Sequence, residues 1–273
     1  MTADLTTHLR SFGIEDYKTD DRYWTEGGDR LGRRRGEELN ELRERFVVRR
    51  TLATQVAVYD FTTDKRVFGV FASMKANAIR ASGDWIATHL PPAGRVLDLG
   101  CSIGYLTTWY AITGPGRSVT GCDFIGKIID RARDIAERRK ITNVWYETAD
   151  ILTALPAGPF DAVVSTQGIG DVIGDVSATL ASIRKVLSPG GMLLAVEPLP
   201  TFANAVSFAG QVSDAGFHLS EAMPIAFSER GKREGYPAMV FTTERPNGPP
   251  DLQQVYDQLL EWCNDGTVPP TAE

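Results

Sequence analysis

The chain has 273 residues, 29 Lys and Arg against 35 Asp and Glu, a formal net charge of −6 and a pI near 5.2. A hydrophobic fraction of 42% with 23% charged residues excludes a wholly disordered or fibrous chain. The acidic total disfavours sequence-independent binding of nucleic acid, which needs clustered cations against phosphates.

Residues 1–10 lack the apolar core of a secretory signal, and no run approaches the roughly 18–20 apolar residues that a membrane span requires, so no membrane partner is expected. Cys101, Cys122 and Cys263 are too few for a disulfide scaffold, which points to reduced thiols and a cytoplasmic location. His8, His89 and His218 form no cluster with them, so no metal site is expected.

Charge is unevenly distributed: residues 1–90 carry a net +1 and residues 91–273 a net −7. In residues 33–50, Leu39, Leu42 and Phe46 recur at helical spacing among alternating charges, which predicts a solvated amphipathic helix. An anionic-ligand or RNA patch there is the alternative reading, weakened by the interspersed Glu residues. Residues 71–90 predict a further helix with Ala72, Ala76, Ile79, Ile86 and Leu90 on one face, stopped by Pro91 and Pro92.

Beyond this point apolar runs at 95–99, 118–122, 144–147, 162–166 and 192–196 alternate with helical patterns at 106–113, 125–139 and 177–187. Strands alternating with helices predict βαβ units and a parallel sheet, an α/β fold. A helix over 202–215, ended by Gly216, precedes two β-like runs at 217–227 and 238–243 that predict an antiparallel hairpin. A Pro/Gly linker at 245–250 and a helix over 252–262 complete the pattern.

The segment Val96-Leu97-Asp98-Leu99-Gly100-Cys101-Ser102-Ile103-Gly104-Tyr105 is a buried strand running into a glycine-punctuated turn that opens a helix. Open α/β sheets bind ligands at such turns, where backbone amides can approach closely. The dinucleotide fingerprint needs G-x-G-x-x-G, and only Gly100 and Gly104 are present. Gly100 to Gly104 also spells G-x-S-x-G, the nucleophile elbow of α/β-hydrolases, with Asp161 or Asp171 and then His218 in the required order. The preceding strands and second oxyanion loop of those enzymes are missing from the pattern.

The segment resembles motif I of the class I S-adenosylmethionine-dependent methyltransferases, an apolar strand, an acid and G-x-G-x-G. The acid is Asp98, and the loop is Gly100, Cys101, Ser102 and Gly104, with Ser102 departing from the middle glycine. The resemblance continues in order. Asp123 and Phe124 follow the second strand, where the family binds ribose hydroxyls. Asp150 and Ile151 stand where it clamps adenine, and Gln167 ends the fourth-strand motif. Singly, Asp98 also reads as a strand-end acid and Asp123 as a helix N-cap.

The resemblance implies a Rossmann-like, doubly wound, seven-stranded sheet, mostly parallel with an antiparallel C-terminal hairpin strand, plus an N-terminal helical extension. It implies a lid at 1–70, a methyltransferase domain at 71–245 and a C-terminal helix and tail at 246–273. S-adenosylmethionine is the implied cofactor, and the implied reaction is methyl transfer to oxygen or nitrogen of a small organic acceptor in biosynthetic metabolism. A carbon acceptor, an RNA or protein substrate, and a non-catalytic nucleotide-binding scaffold are the alternatives. Glu197, at the end of the fifth strand, is the first candidate for a base, with a salt bridge or cap as its other reading. Asp171 is the second candidate, and Tyr23, beside Trp24 in the lid, is a third group facing the acceptor. The N-terminal helices offer the surface for a homodimer.

Overall fold

The computed structural model describes residues 4–169 and 176–265. Its first part is helical: α1 (Leu5–Arg10), α2 (Asp20–Arg22), a π-helical turn at Tyr23–Gly27, α3 (Gly28–Leu31), α4 (Arg33–Val48), α5 (Leu52–Phe61), α6 (Lys65–Ser73) and α7 (Ala76–His89). The alternating part follows as β1 (Ala93–Leu99), α8 (Tyr105–Thr113), β2 (Gly116–Asp123), α9 (Gly126–Arg138), β3 (Val144–Thr148), β4 (Phe160–Thr166), α10 (Val176–Val186) and β5 (Leu187–Val196). It closes with α11 (Phe202–Asp214), β6 (His218–Glu229), β7 (Lys232–Thr242) and α12 (Leu252–Asp265).

The strands form one sheet in the order β3-β2-β1-β4-β5-β7-β6. The first five are parallel, while β7 pairs antiparallel with both β5 and β6. The order reverses between β1 and β4, and the carboxyl ends of those strands are where such a sheet leaves a crevice. The central strands are apolar on both faces because helices cover both. Leu9, Ile86, Tyr110 and Ile128 belong to one core cluster, and Leu180, Ile183, Phe208 and Val212 to the other.

Arg117 shows how the helices are fastened to the sheet. Its side chain is buried, and the guanidinium donates to the carbonyls of Pro91 (2.8 Å), Tyr110 (3.1 Å), Ala87 (3.0 Å) and Leu90 (3.1 Å). Cationic donors at the end of α7 satisfy carbonyls that have no partner within the helix.

Two boundaries differ from the sequence reading. The helix expected over 71–90 is two helices broken at Met74 and Lys75, because each has its own cap. Asp64 accepts from the amides of Arg66 and Val67 at the start of α6, and Glu229, on β6, accepts from Asn77 (2.9 Å) and Ala78 (3.1 Å) at the start of α7. The hairpin is also longer than expected. The polar stretch between its apolar runs is paired strand, turning at Arg230 and Gly231, where φ is 50° and 83°. Left-handed φ at both positions matches the twist of a tight hairpin, so polarity there marks solvent exposure rather than a loop.

Candidate active site

The carboxyl ends of β1, β2 and β4 and the helices α5 to α7 enclose a cavity of about 320 Å³. Gly100, Ser102, Asp123, Asp150, Gln167 and Gly168 form its sheet side. Leu52, Val56, Phe68, Phe71, Met74 and Ile79 form an apolar roof over them.

The turn after β1 depends on left-handed backbone. Gly100, Ser102 and Gly104 have φ of 65°, 51° and 78°. Ser102, the one departure from the glycine pattern, therefore holds the conformation that glycine adopts without strain. Gly104 is needed for a second reason: a Cβ there would lie 2.2 Å from the hydroxyl of the buried Tyr146. The curled loop turns the amide of Ser102 toward Asp123 Oδ2, to which it donates at 3.2 Å, while Ile125 donates to Oδ1 at 3.1 Å.

Asp123 is 8% exposed and lines the cavity. Burial raises its pKa, and the backbone donors of Ile125, Ser102 and Phe124 oppose that rise. An ionised carboxylate has about four acceptor positions, and the two hydrogen bonds from Ser102 and Ile125 leave two of them for further donors. Adjacent hydroxyls of a ribose supply such a pair. Asp150 lines the same cavity, with Oδ1 accepting from the Leu152 amide at 2.9 Å, and Ile151 and Phe124 lie beside it as apolar surface. A left-handed cradle, a carboxylate with spare acceptor capacity and apolar walls beside a second carboxylate fit a nucleoside bearing a positive charge.

Asp98, Cys101 and Gly104 lie beneath this surface and do not line the cavity. Asp98 is buried and accepts from Thr107 Oγ1 at 2.6 Å, which ties the end of β1 to α8. Burial, opposed by that hydrogen bond and reinforced by the charge of Asp123, pushes the Asp98 carboxyl up to about 7. Burial raises the Cys101 thiol well above its ordinary value; a Cβ added at Gly121 would meet its side chain at 2.9 Å.

Residues 91–229 match the family model described as a methyltransferase domain. The chain belongs to the class I S-adenosylmethionine-dependent methyltransferases. This methyltransferase domain is 32% identical over 117 residues, 41% of this chain and 38% of the other, to an S-adenosyl-L-methionine-dependent Diels-Alderase of Talaromyces variabilis. It is 33% identical over 103 residues (38% and 46% of the two chains) to a demethylmenaquinone methyltransferase of Thermus thermophilus. It is 31% identical over 144 residues (52% and 55%) to a ubiquinone/menaquinone biosynthesis C-methyltransferase of Teredinibacter turnerae. The matched segments thus span between 38% and 55% of the length of these relatives.

The fold is shared with a 1,6-didemethyltoxoflavin-N1-methyltransferase of Burkholderia thailandensis solved with S-adenosylhomocysteine. That match has a TM-score of 0.54 and 18% identity, and covers 70% of this chain and 85% of the other. A [4+2]-cyclase is also similar in fold, with a TM-score of 0.50 and 18% identity, over 61% of this chain and 81% of the other.

The acceptor-side expectations fare differently. Glu197 does not line the cavity: it is fully buried, accepts from Ser165 Oγ at 2.5 Å and from the Ile169 amide at 3.2 Å, and so holds the turn after β4. Its placement is that of a structural acid, because a carboxylate sealed under a turn cannot reach an acceptor. Tyr23 is likewise away from the cavity, buried 5.7 Å from the Tyr17 ring, and burial pushes its hydroxyl up to about 12. Asp171 lies outside the described residues. His89 stacks on Trp85 at 4.1 Å and is not at the cavity.

Lys75 went unnoticed in the sequence, and the lid expected at 1–70 did not single out Leu52, Val56 or Phe68. Lys75 Nζ donates to Gln167 Oε1 at 2.9 Å across the cavity, and Gln167, with φ of 57°, donates its backbone N–H to Val196 O. The only sequence signal was that Leu52, Val56, Phe68 and Phe71 exceed what two short helices need for a single buried face. Among the described residues no group of His, Cys, Asp and Glu is arranged to hold a metal ion.

Proposed function

We propose that this chain transfers a methyl group from S-adenosylmethionine to a small, largely apolar organic acceptor at oxygen, nitrogen or carbon, in biosynthetic metabolism. The observation that carries this reading is the continuity of one cavity from Asp123 and Asp150 on the sheet to the apolar roof of α5 and α6. Bound there, the cofactor supplies an electrophilic methyl on a sulfonium, whose transfer by in-line displacement requires positioning more than acid–base chemistry.

Asp123 is assigned to the ribose hydroxyls, and the Ser102 and Ile125 amides fix its carboxylate so that it need not reorganise on binding. Asp150, Ile151 and Phe124 are assigned to the adenine, and Gly100 and Ser102 to the backbone contacts that admit it closely. The roof excludes water, and the Lys75–Gln167 hydrogen bond links α7 to the end of β4 beside the reacting centre. Residues 1–70 are assigned part of the roof, residues 71–245 the cofactor site, and residues 246–273 a C-terminal segment that contains α12.

The test is calorimetric titration with S-adenosylhomocysteine. Wild type binds, and Asp123→Ala binds about 10–100-fold more weakly, the loss of charge-assisted hydrogen bonds worth roughly 1.5–3 kcal/mol. Equal binding in both would defeat the assignment.

A second reading is favoured by the lining itself. Among its described residues, the only acids are Asp123 and Asp150, both assigned to the cofactor, and no histidine is present. Such a cavity also suits ring closure of a bound polyene beside an unreacted cofactor. Release of one S-adenosylhomocysteine per product separates methyl transfer from that reading.

A further inference from the structure

Lys75 is the only Lys, Arg or His among the described residues that line the cavity, and Phe71, Met74 and Ile79, from the same stretch of chain, line it too. Its Nζ donates to Gln167 Oε1, the oxygen of a neutral amide, which orients the ammonium without cancelling its charge. Gln167 is the one polar partner of that ammonium among the described residues. Nor does the side chain fasten the fold. Lys75 precedes α7 and makes no side-chain capping bond there, because Glu229 accepts from the first amides of that helix.

Sheet order shows which part of a ligand this cation meets. Asp123 ends β2 and Asp150 follows β3, whereas Gln167 follows β4, on the other side of β1 from both. With ribose and adenine assigned to the two acids, Lys75 stands at the β4 end of the cavity, where sulfonium and acceptor meet. We propose that Lys75 determines acceptor specificity by holding the acceptor as an oxyanion, the deprotonated form of a phenol, enol or carboxylic acid on an apolar skeleton. This inference rests on the methyltransferase reading of the cavity.

An oxyanion beside an ammonium and a sulfonium is stabilised most where apolar side chains have replaced water. A neutral acceptor leaves the ammonium with Gln167 alone, and a protonated amine is repelled by both cations. The acidic acceptor releases its proton to solvent before it binds, so the transfer itself needs no base. A lone pair of the oxyanion then forms the O–CH3 bond as the CH3–S bond breaks, and the electrons of that bond pass to sulfur. The products are a neutral ether or ester and S-adenosylhomocysteine. Attack through carbon would leave a proton to be removed at a site whose described lining has no unassigned acid and no histidine.

Calorimetric titration of the full chain with 2-naphthoate and 2-naphthamide, matched aromatic probes of which only the first is anionic, tests the proposal. With S-adenosylhomocysteine saturating, wild type is expected to bind the naphthoate roughly tenfold more tightly than the amide. Lys75→Met removes that preference, and Lys75→Arg, which keeps the charge, restores at least part of it. Lys75→Met keeps the thermal midpoint and the S-adenosylhomocysteine affinity of wild type. The proposal is overturned by equal binding of the two probes in wild type or by a preference that survives in Lys75→Met. A tenfold loss of S-adenosylhomocysteine affinity in Lys75→Met also overturns it, by assigning the ammonium to the cofactor's carboxylate. The same pair titrated without S-adenosylhomocysteine reads Lys75 separately from the cofactor, whose failure to bind wild type would defeat the methyltransferase reading instead.

Discussion

The Ser102 amide donates to the carboxylate of Asp123 at 3.2 Å, joining the turn after β1 to the end of β2. Sequence motifs 21 positions apart are thereby one structural unit, and the bond exists only because Ser102 holds a φ of 51°.

Ser102→Gly is expected to preserve cofactor affinity and to change stability by less than about 1 kcal/mol, since relief of left-handed strain offsets the greater freedom of the unfolded chain. Ser102→Val, branched at Cβ, lowers both. Thermal unfolding and S-adenosylhomocysteine titration of the pair check this, and a loss of affinity in the glycine variant would assign the hydroxyl a binding role.

Gly104→Ala places a methyl 2.2 Å from Tyr146 Oη at a φ of 78°, and Tyr146 is 5% exposed. Overpacking and strain together cost about 2–4 kcal/mol. Tyr146→Phe in the same chain removes the closest clashing atom and recovers part of the loss. A double-mutant cycle by denaturant unfolding reports that coupling, and strict additivity would show the clash is relieved by another route.

Arg117→Met leaves the carbonyls at the end of α7 without their cationic donors. The expected loss is about 3 kcal/mol, the upper range for hydrogen bonds to a charged group, with cofactor affinity changed little. Arg117→Lys recovers less than half, because one ammonium cannot reproduce the planar fork. Chemical denaturation measures both.

His8 gives the N-terminal helix a pH dependence. Its Nε2 lies 2.8 Å from Tyr105 O and 3.1 Å from Thr108 Oγ1, and its ring stands 5.6 Å from that of Trp109. Burial, opposed by the Tyr105 hydrogen bond, lowers its pKa to about 4. The unfolded chain binds a proton near pH 6.5 that the folded chain refuses until about pH 4, so the contribution of His8 is complete above pH 6.5 and is lost as pH falls through that interval. Glu229, raised to about 7 chiefly by burial, acts with the opposite sign: its contribution is complete below its unfolded value near 4.5 and is lost as pH rises to about 7. Unfolding free energies of wild type and His8→Gln, subtracted at each pH, isolate the histidine. Wild type should lose about 2–3 kcal/mol more than the variant between pH 6.5 and 4, and parallel curves would rule out the buried neutral ring.

The alternation of apolar runs and helical periods was sufficient to read the parallel sheet, and the glycine-punctuated turn with Asp123 and Asp150 marked the sheet edge at which the cavity lies. Both are local: a strand, its turn and the acid at its end lie within a few residues, and their chemistry follows from order along the chain. What the tertiary structure decided depends on contacts across long separations. Glu229 divides residues 71–90 into two helices from β6, Glu197 is turned from candidate base to buried anchor by Ser165, and Tyr23 is drawn into a cluster away from the cavity. The roof of α5 and α6 and the Lys75–Gln167 bond across 92 positions have no periodic signature, because an apolar side chain that lines a cavity and one that fills a core have the same composition. Only packing determines which of them leaves space for a ligand.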